Sequence, residues 1–189
     1  MAKTTAALGV RAHSGWAAYV VLGGDARAPD ILGRGRMTLC DSAETKMPFH
    51  AAEPMAFARG EAFIAQCRAV AAKLADREIE GIGAVVGCCV LAAAGKPLPD
   101  LRTILASHAL IHAAEGEFYR DAIAQACSRA GIAVTRIRER DVEAEAGHLG
   151  AWRERLAAFG KTVGPPWTQD EKLASLGAWL VLAAKRSKR

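Results

Sequence analysis

The spacing of apolar residues changes in a fixed order along the chain, and that order predicts the elements. Ala6 to Val10 is an apolar run, His13-Ser14-Gly15 has turn chemistry, and Trp16 to Leu22 is rich in aromatic and β-branched residues, which predicts two strands joined by a tight turn. Gly23-Gly24-Asp25 closes the second strand. From Ile31 to Leu39, Arg34 and Arg36 alternate with smaller or apolar residues, the pattern of a half-exposed strand at or near a sheet edge. Residues Asp41 to Pro54 mix Ser, Thr, Pro and charges and read as a loop. Met55 to Leu74 carries Phe57, Ile64, Cys67, Val70, Ala71 and Leu74 at helical spacing. Gly81 to Leu91 is almost wholly apolar, as expected of a strand covered on both faces in the middle of a mostly parallel sheet. Gly95 to Asp100 is a connector, and Asp100 is an N-cap for a helix predicted from Leu101 to about Ala130, where Gly131 stops it. Ile132 to Ile137 alternates as a last strand. Asp141 to Phe159 and Asp170 to Ala184 then read as helices separated by Gly164-Pro165-Pro166-Trp167-Thr168.

The predicted fold class is therefore α/β: a mixed five-stranded sheet, three antiparallel strands followed by two parallel ones, flanked by helices. A chain of 189 residues, half of them apolar, suits a single domain over residues 1–184. The formal charge of +5 is concentrated: Lys185, Arg186, Lys188 and Arg189 supply four of the five net charges, so residues 185–189 read as a basic disordered tail and the body is close to neutral. Five cysteines (Cys40, Cys67, Cys88, Cys89 and Cys127), odd in number and without a C-x-x-C pair, read as reduced thiols of a cytoplasmic protein. No apolar segment is long enough for a bilayer, so no membrane association is expected.

The order of elements, together with Ala6-Ala7-Leu8-Gly9-Val10, Gly15-Trp16-Ala17-Ala18-Tyr19-Val20-Val21-Leu22 and Gln169-Asp170-Glu171-Lys172-Leu173-Ala174-Ser175-Leu176-Gly177-Ala178-Trp179-Leu180, resembles the ribonuclease-H-like superfamily over nearly the whole chain. Within it the layout is most similar to the Holliday-junction resolvase branch. The resemblance implies a carboxylate in the first strand, another at the end of the fourth, and one or two at the start of the last helix. Such a set holds two magnesium ions that activate water and stabilise the leaving oxygen in phosphodiester cleavage. In this sequence the first position is occupied by Val10, Arg11, Ala12 and His13, and no acid occurs from Gly87 to Cys89. Only Asp170, with Glu171 beside it, matches the acidic start of the final helix. Arginine and histidine do not replace oxygen ligands for magnesium, so the resemblance carries the fold further than the chemistry.

The remaining polar residues form three groups. His108, His112, Glu115 and Tyr119 fall within about 60° of arc on one helix. That stripe serves either as hydrogen-bonding groups in a half-buried face or partner interface, or as a metal site of His108, His112 and Glu115. His13, Ser14 and Gly15 are a turn that the fold sets beside the end of the fourth strand, near the expected site. Arg34, Arg36, Arg136 and Arg138 form a basic strip on one sheet edge, for nucleic acid or for edge protection. Two functional readings follow. In the first, the chain is a non-canonical or catalytically impaired ribonuclease-H-like protein that binds nucleic acid or a partner. In the second it is a metal-dependent hydrolase with a divalent metal and a site built from His13, His108, His112, Glu115 and Asp170. A homodimer assembled through apolar helix faces is a third expectation, and whether the chain is an enzyme stays open between them.

Overall fold

The opening apolar run folds back on itself through Ser14 and Gly15, the latter at φ +80°, so that β1 (Ala6–His13) and β2 (Trp16–Gly23) pair antiparallel in full register from Ala6 opposite Gly23 to His13 opposite Trp16. The computed structural model describes residues 5–93 and 97–186. β3 (Asp30–Thr38) adds antiparallel to β2, while β4 (Cys88–Ala92) lies parallel to β1 and β5 (Val134–Arg138) parallel to β4. The sheet order is β3-β2-β1-β4-β5. This is the mixed five-stranded α/β sheet that the sequence predicts, with β1 at its centre and β4 beside it.

Seven helices surround the sheet among the described residues: α1 (Pro48–Ala52), α2 (Phe57–Ile82), α3 (Leu101–Leu105), α4 (His108–Arg129), α5 (Val142–Glu145), α6 (Trp152–Val163) and α7 (Gln169–Arg186). Several sequence boundaries are corrected. The loop of residues 41–54 contains α1, because Pro48 at the first helical position fixes the backbone where no amide donor is needed. α2 continues past Leu74 since Ala75 and Ile79 extend its buried stripe, and it ends before Gly83 at φ +81°. The apolar stretch from Gly81 therefore completes a helix before it becomes a strand, and β4 begins only at Cys88. The helix expected from Leu101 to Ala130 is broken: Asp100 caps α3 by accepting from Thr103 N (3.0 Å), and Ser107 takes an extended backbone before α4. A further break at Gly150 (φ +76°) separates α5 and a 3-10 turn (Ala146–Leu149) from α6.

Gly131 ends α4 as expected. At φ +72° it donates to Ser128 O (3.1 Å) while Ile132 N donates to Cys127 O (2.8 Å), a Schellman motif that turns the chain into β5. α7 reaches Arg186, so the first two residues assigned to the basic tail continue a helix; residues 187–189, and residues 95 and 96 of the connector, lie outside the described residues.

Alternation along β1 sorts the core into two layers. Ala6, Leu8, Val10 and Ala12 join Ile64, Cys67, Ile111 and Phe118 from α2 and α4. On the other side, Ala7 joins Trp152, Leu156 and Phe159 of α6 and Leu173, Ala174 and Trp179 of α7. Gly9 belongs to this second row, and α7 is seated so closely that a Cβ there would fall 1.8 Å from Ala174 O; one on Gly177 would meet Cys89 Sγ at 2.9 Å. Arg11 and His13 continue the same row, and emerge at the C-terminal end of β1 against the start of α7.

Gly9→Ala should lift α7 off β1 and lower the stability in urea by about 1–3 kcal/mol or more, the range for overpacking a filled core; an unchanged midpoint would contradict this seating. The thiols give a second check. Cys67, Cys88, Cys89 and Cys127 are buried, and burial pushes the Cys89 thiol up to about 12. Burial keeps reagents from these four thiols, so at pH 8 a disulfide reagent should modify no more than the half-buried Cys40 in the native protein, and all five cysteines after denaturation.

Candidate functional site

Where β1 runs out beneath the first turn of α7, the Arg11 guanidinium lies between two carboxylates. It donates to Asp170, in the first turn of α7, and to Glu139, which follows β5 directly. All three side chains are only partly exposed. The hydrogen bonds that the guanidinium donates to Glu139 and to Asp170 outweigh the cost of partial burial and hold the arginine pKa above its ordinary value. A raised folded pKa means the stabilisation is present at every working pH and is lost only in strong alkali. His13 Nε2 lies 3.1 Å from Asp170 Oδ1, without the alignment of a hydrogen bond.

The sequence builds this corner from both sides. Thr168 and Glu171 form a capping box, with Thr168 N donating to Glu171 Oε2 (2.7 Å) and Glu171 N to Thr168 Oγ1 (3.4 Å), which fixes the start of α7. Arg34 on β3 donates to Glu171 Oε1 (2.8 Å), to Val163 O and Gly164 O, and to Pro166 O, tying the preceding loop to the sheet. The His13 ring stacks on Trp16 with centroids 4.3 Å apart, and the Arg36 guanidinium lies 3.5 Å from the centroid of the same indole.

Two open clefts flank the arginine. One, of about 410 Å3, is lined by Trp16, Arg34, Arg36, Asp170 and Glu171. The other, of about 550 Å3, is lined by Arg120, Arg138, Glu139, Arg140 and Gln169. Asp170 faces the first and Glu139 the second, so the Arg11 cluster divides them. A cavity of about 570 Å3 near the far end of α7, between Ala26, Ile137, His148 and Leu180, touches none of the residues singled out in the sequence.

The structure brings His13 and Asp170 together and sends the other candidates elsewhere. His108 and His112 sit at the start of α4, with Nε2 atoms 3.1 Å apart, and are joined by His50 of α1. Glu115 turns inward at 5 % exposure, and its Oε1 accepts from Phe49 N (2.8 Å) and His50 N (3.1 Å). Tyr119 donates to Thr45 O and Lys46 O, and burial pushes its phenol up. The single basic strip is corrected: β3 and β5 are opposite margins of the sheet, because β4 and β5 add to the far side of β1. Arg34 is spent on the α7 loop, Arg136 is paired with Glu117 (3.0 Å) and Asp121 (2.6 Å), and Arg138 is paired with Asp141. Arg36, exposed on its indole, has no acidic partner among the described residues.

The fourth-strand position also shifts. The C-terminal end of β4 is Ala92, not the segment Gly87 to Cys89, and it too lacks an acid. Glu139 supplies the second carboxylate from the next strand over, and sequence reading passed over it inside the alternation Arg136-Ile137-Arg138-Glu139-Arg140. His50 was missed as well; the Pro48 helix start was its only local signal. Asp170 and Glu139 are therefore the oxygen donors of the corner, and both are bound to a guanidinium. This donor set does not fit a pair of magnesium ions.

No protein-family model matches the chain, and no curated protein matches it in sequence. Among solved structures, the chain is similar to Thermus thermophilus RuvC in complex with a Holliday junction substrate, with 12 % identity over 96 % of this chain and 96 % of that one and a TM-score of 0.57. A structure of Thermus thermophilus RuvC alone is 14 % identical over 97 % of each chain, with a TM-score of 0.49. The fold is thus the one seen in that junction-bound structure, a ribonuclease-H-like fold. Among the described residues, no helix is long and apolar enough to cross a membrane.

Arg11→Ala leaves Asp170 and Glu139 facing a shared gap without their cation. Between the small value of an exposed pair and the large cost of orphaning a buried charge, the expected loss is about 1–3 kcal/mol at neutral pH. Arg11→Met, which keeps much of the side-chain bulk but removes the charge, should lose about as much. Urea melts of both variants at neutral pH measure it; an Arg11→Met protein as stable as the wild type would show that the arginine acts only through packing.

Proposed function

We propose that this chain is a nucleic-acid-binding protein of the ribonuclease-H-like fold that does not cleave by the two-metal route, because Arg11 holds the place that the fold gives to a magnesium-binding acid. The observation that carries the reading is the pairing of Arg11 with both Asp170 and Glu139 at the C-terminal edge of the sheet. In the catalytic arrangement, carboxylates there are left free to grip divalent ions. Here a side-chain cation neutralises them permanently.

Binding is the activity this arrangement leaves standing. The RuvC neighbour is described with a Holliday junction, and the edge of this chain around Arg11 has two clefts that carry Arg36 on one side and Arg138 with Arg140 on the other. With Asp170 and Glu139 internally paired, the edge presents less uncompensated negative charge to a phosphate backbone. Arg36 is the cation best suited to contact it, being exposed, pre-oriented by Trp16 and unpaired among the described residues. Arg136 is a poor candidate, since two acids already hold it.

The test combines binding with cleavage. Fluorescent four-way junction, duplex and single-stranded DNA are titrated at two salt concentrations, and the same substrates are incubated with magnesium or manganese. The expected result is binding that weakens with salt, no cleavage with either metal, and for Arg36→Ala a salt slope lower by about one while Arg136→Ala leaves it unchanged. Absence of salt-dependent binding to all three ends the nucleic-acid reading. Metal-dependent cleavage that disappears in Asp170→Asn ends the non-cleaving one.

A further inference from the structure

Three imidazoles meet on the surface where α1 abuts the start of α4. His108 is the first residue of α4 and His112 lies one turn on, so both project from one helix face at the i, i+4 spacing. His50 reaches them from α1. Ring centroids are 4.6 Å apart for His108 and His112, 4.7 Å for His50 and His112, and 5.5 Å for His50 and His108. One ligand nitrogen from each ring lies within 4.8 Å of the others. From this convergence we infer that His50, His108 and His112 form a binding site for a borderline-soft divalent transition ion, zinc before others, with a fourth position open to solvent.

The geometry already approaches what such an ion requires. Two nitrogens held tetrahedrally at 2.0–2.1 Å from zinc stand about 3.3 Å apart, and His108 Nε2 and His112 Nε2 are 3.1 Å apart. Two Nε2 atoms at that distance leave room for at most one proton between them, whereas an ion would satisfy both lone pairs. His108 and His112 are exposed, so they can close on the ion by side-chain rotation alone.

His50 is set differently, and the reason is Glu115. Its Oε1 takes the amides of Phe49 and His50, capping the short α1, and stands 3.2 Å from His50 Nδ1. That contact favours a proton on Nδ1 and leaves Nε2 as the ligand atom. A carboxylate behind a ligating imidazole is the usual support of such a ligand. Glu53 stands behind His108 in the same sense, with Oε1 3.9 Å from Nδ1. The second oxygen of Glu115 is buried without a partner, so the anion retains capacity to stabilise charge moved onto His50 by a bound ion. Glu115 is accordingly a positioning residue in this assignment, and not the direct ligand that the helix stripe suggested. Imidazole donors favour zinc, copper, nickel and cobalt over magnesium, so this site is chemically distinct from the corner of Arg11, and its existence does not depend on the function proposed for that corner.

The experiment uses the full chain with any purification tag removed, stripped with chelator and titrated with zinc chloride by calorimetry; cobalt is added in parallel for its visible spectrum. The assignment predicts one zinc per chain, a tetrahedral-type cobalt absorption, and a loss of affinity of about tenfold or more in His112→Ala and in His108→Ala, comparable to or larger than the loss expected for supporting groups. Both histidines are exposed, so these variants should fold, which circular dichroism checks. Asp170→Asn should bind zinc as the wild type does. Sub-stoichiometric zinc in the wild type, or affinity unchanged in the His108→Ala, His112→Ala double variant, would overturn the site.

Discussion

A guanidinium between two carboxylates is the interaction on which the rest of this structure turns. Arg11 lies on the central strand, Asp170 on the helix that crosses it, and Glu139 at the end of the outermost parallel strand, so one side chain ties together three elements that meet at a single edge of the sheet. The close seating of α7 on Gly9 makes this reach feasible: were the helix held off by a side chain there, the first turn of α7 would stand farther from Arg11. The capping box at Thr168 and Glu171 fixes the first turn of that helix, and Arg34 fastens the loop before it. Packing, helix start and electrostatics thus specify one arrangement, and each element of it makes the others more probable.

Much of the fold could be read from the sequence because its main elements have unambiguous patterns. The hairpin follows from His13-Ser14-Gly15 between apolar runs, β3 as an edge strand from its alternating arginines, and the end of α4 from Gly131. The misread start of β4 has a plain cause: local apolar content does not distinguish a helix end from a buried strand. Ile79 and Ile82 belong to the stripe of α2, whereas the run of residues 83–91 looks continuous with them in composition, so β4 was begun too early. Ser107 interrupted a predicted helix for a reason periodicity cannot register, since it takes an extended backbone without changing the spacing of apolar residues on either side.

The site was legible in part. Asp170 stood out as the acidic start of the last helix, and the substitution of Arg11 for an expected acid was visible once the fold was in mind. Its partner Glu139 was not, because an acid within an arginine-rich strand end reads as edge charge, and only the parallel pairing of β5 with β4 carries it to the corner. The histidine cluster shows the same limit. The helical stripe correctly joined His108 to His112 and also included Glu115, but whether a side chain on the flank of a stripe points outward or inward depends on the neighbouring element. α1 supplies that neighbour: its amides draw Glu115 inward, and its His50 takes the vacant place beside the other two imidazoles. Both clusters are thus completed by residues remote in sequence, Glu139 and His50, whose contacts there no local pattern marks.

The central claim is that a permanent cation occupies the corner where the resemblance to the ribonuclease-H-like superfamily implies a divalent-ion site. Anomalous diffraction from crystals of the wild-type protein soaked in manganese addresses it most directly. The account predicts density for the Arg11 guanidinium between Asp170 and Glu139 and no anomalous peak beside either carboxylate. A manganese peak bridging Asp170 and Glu139, with Arg11 swung away, would contradict it.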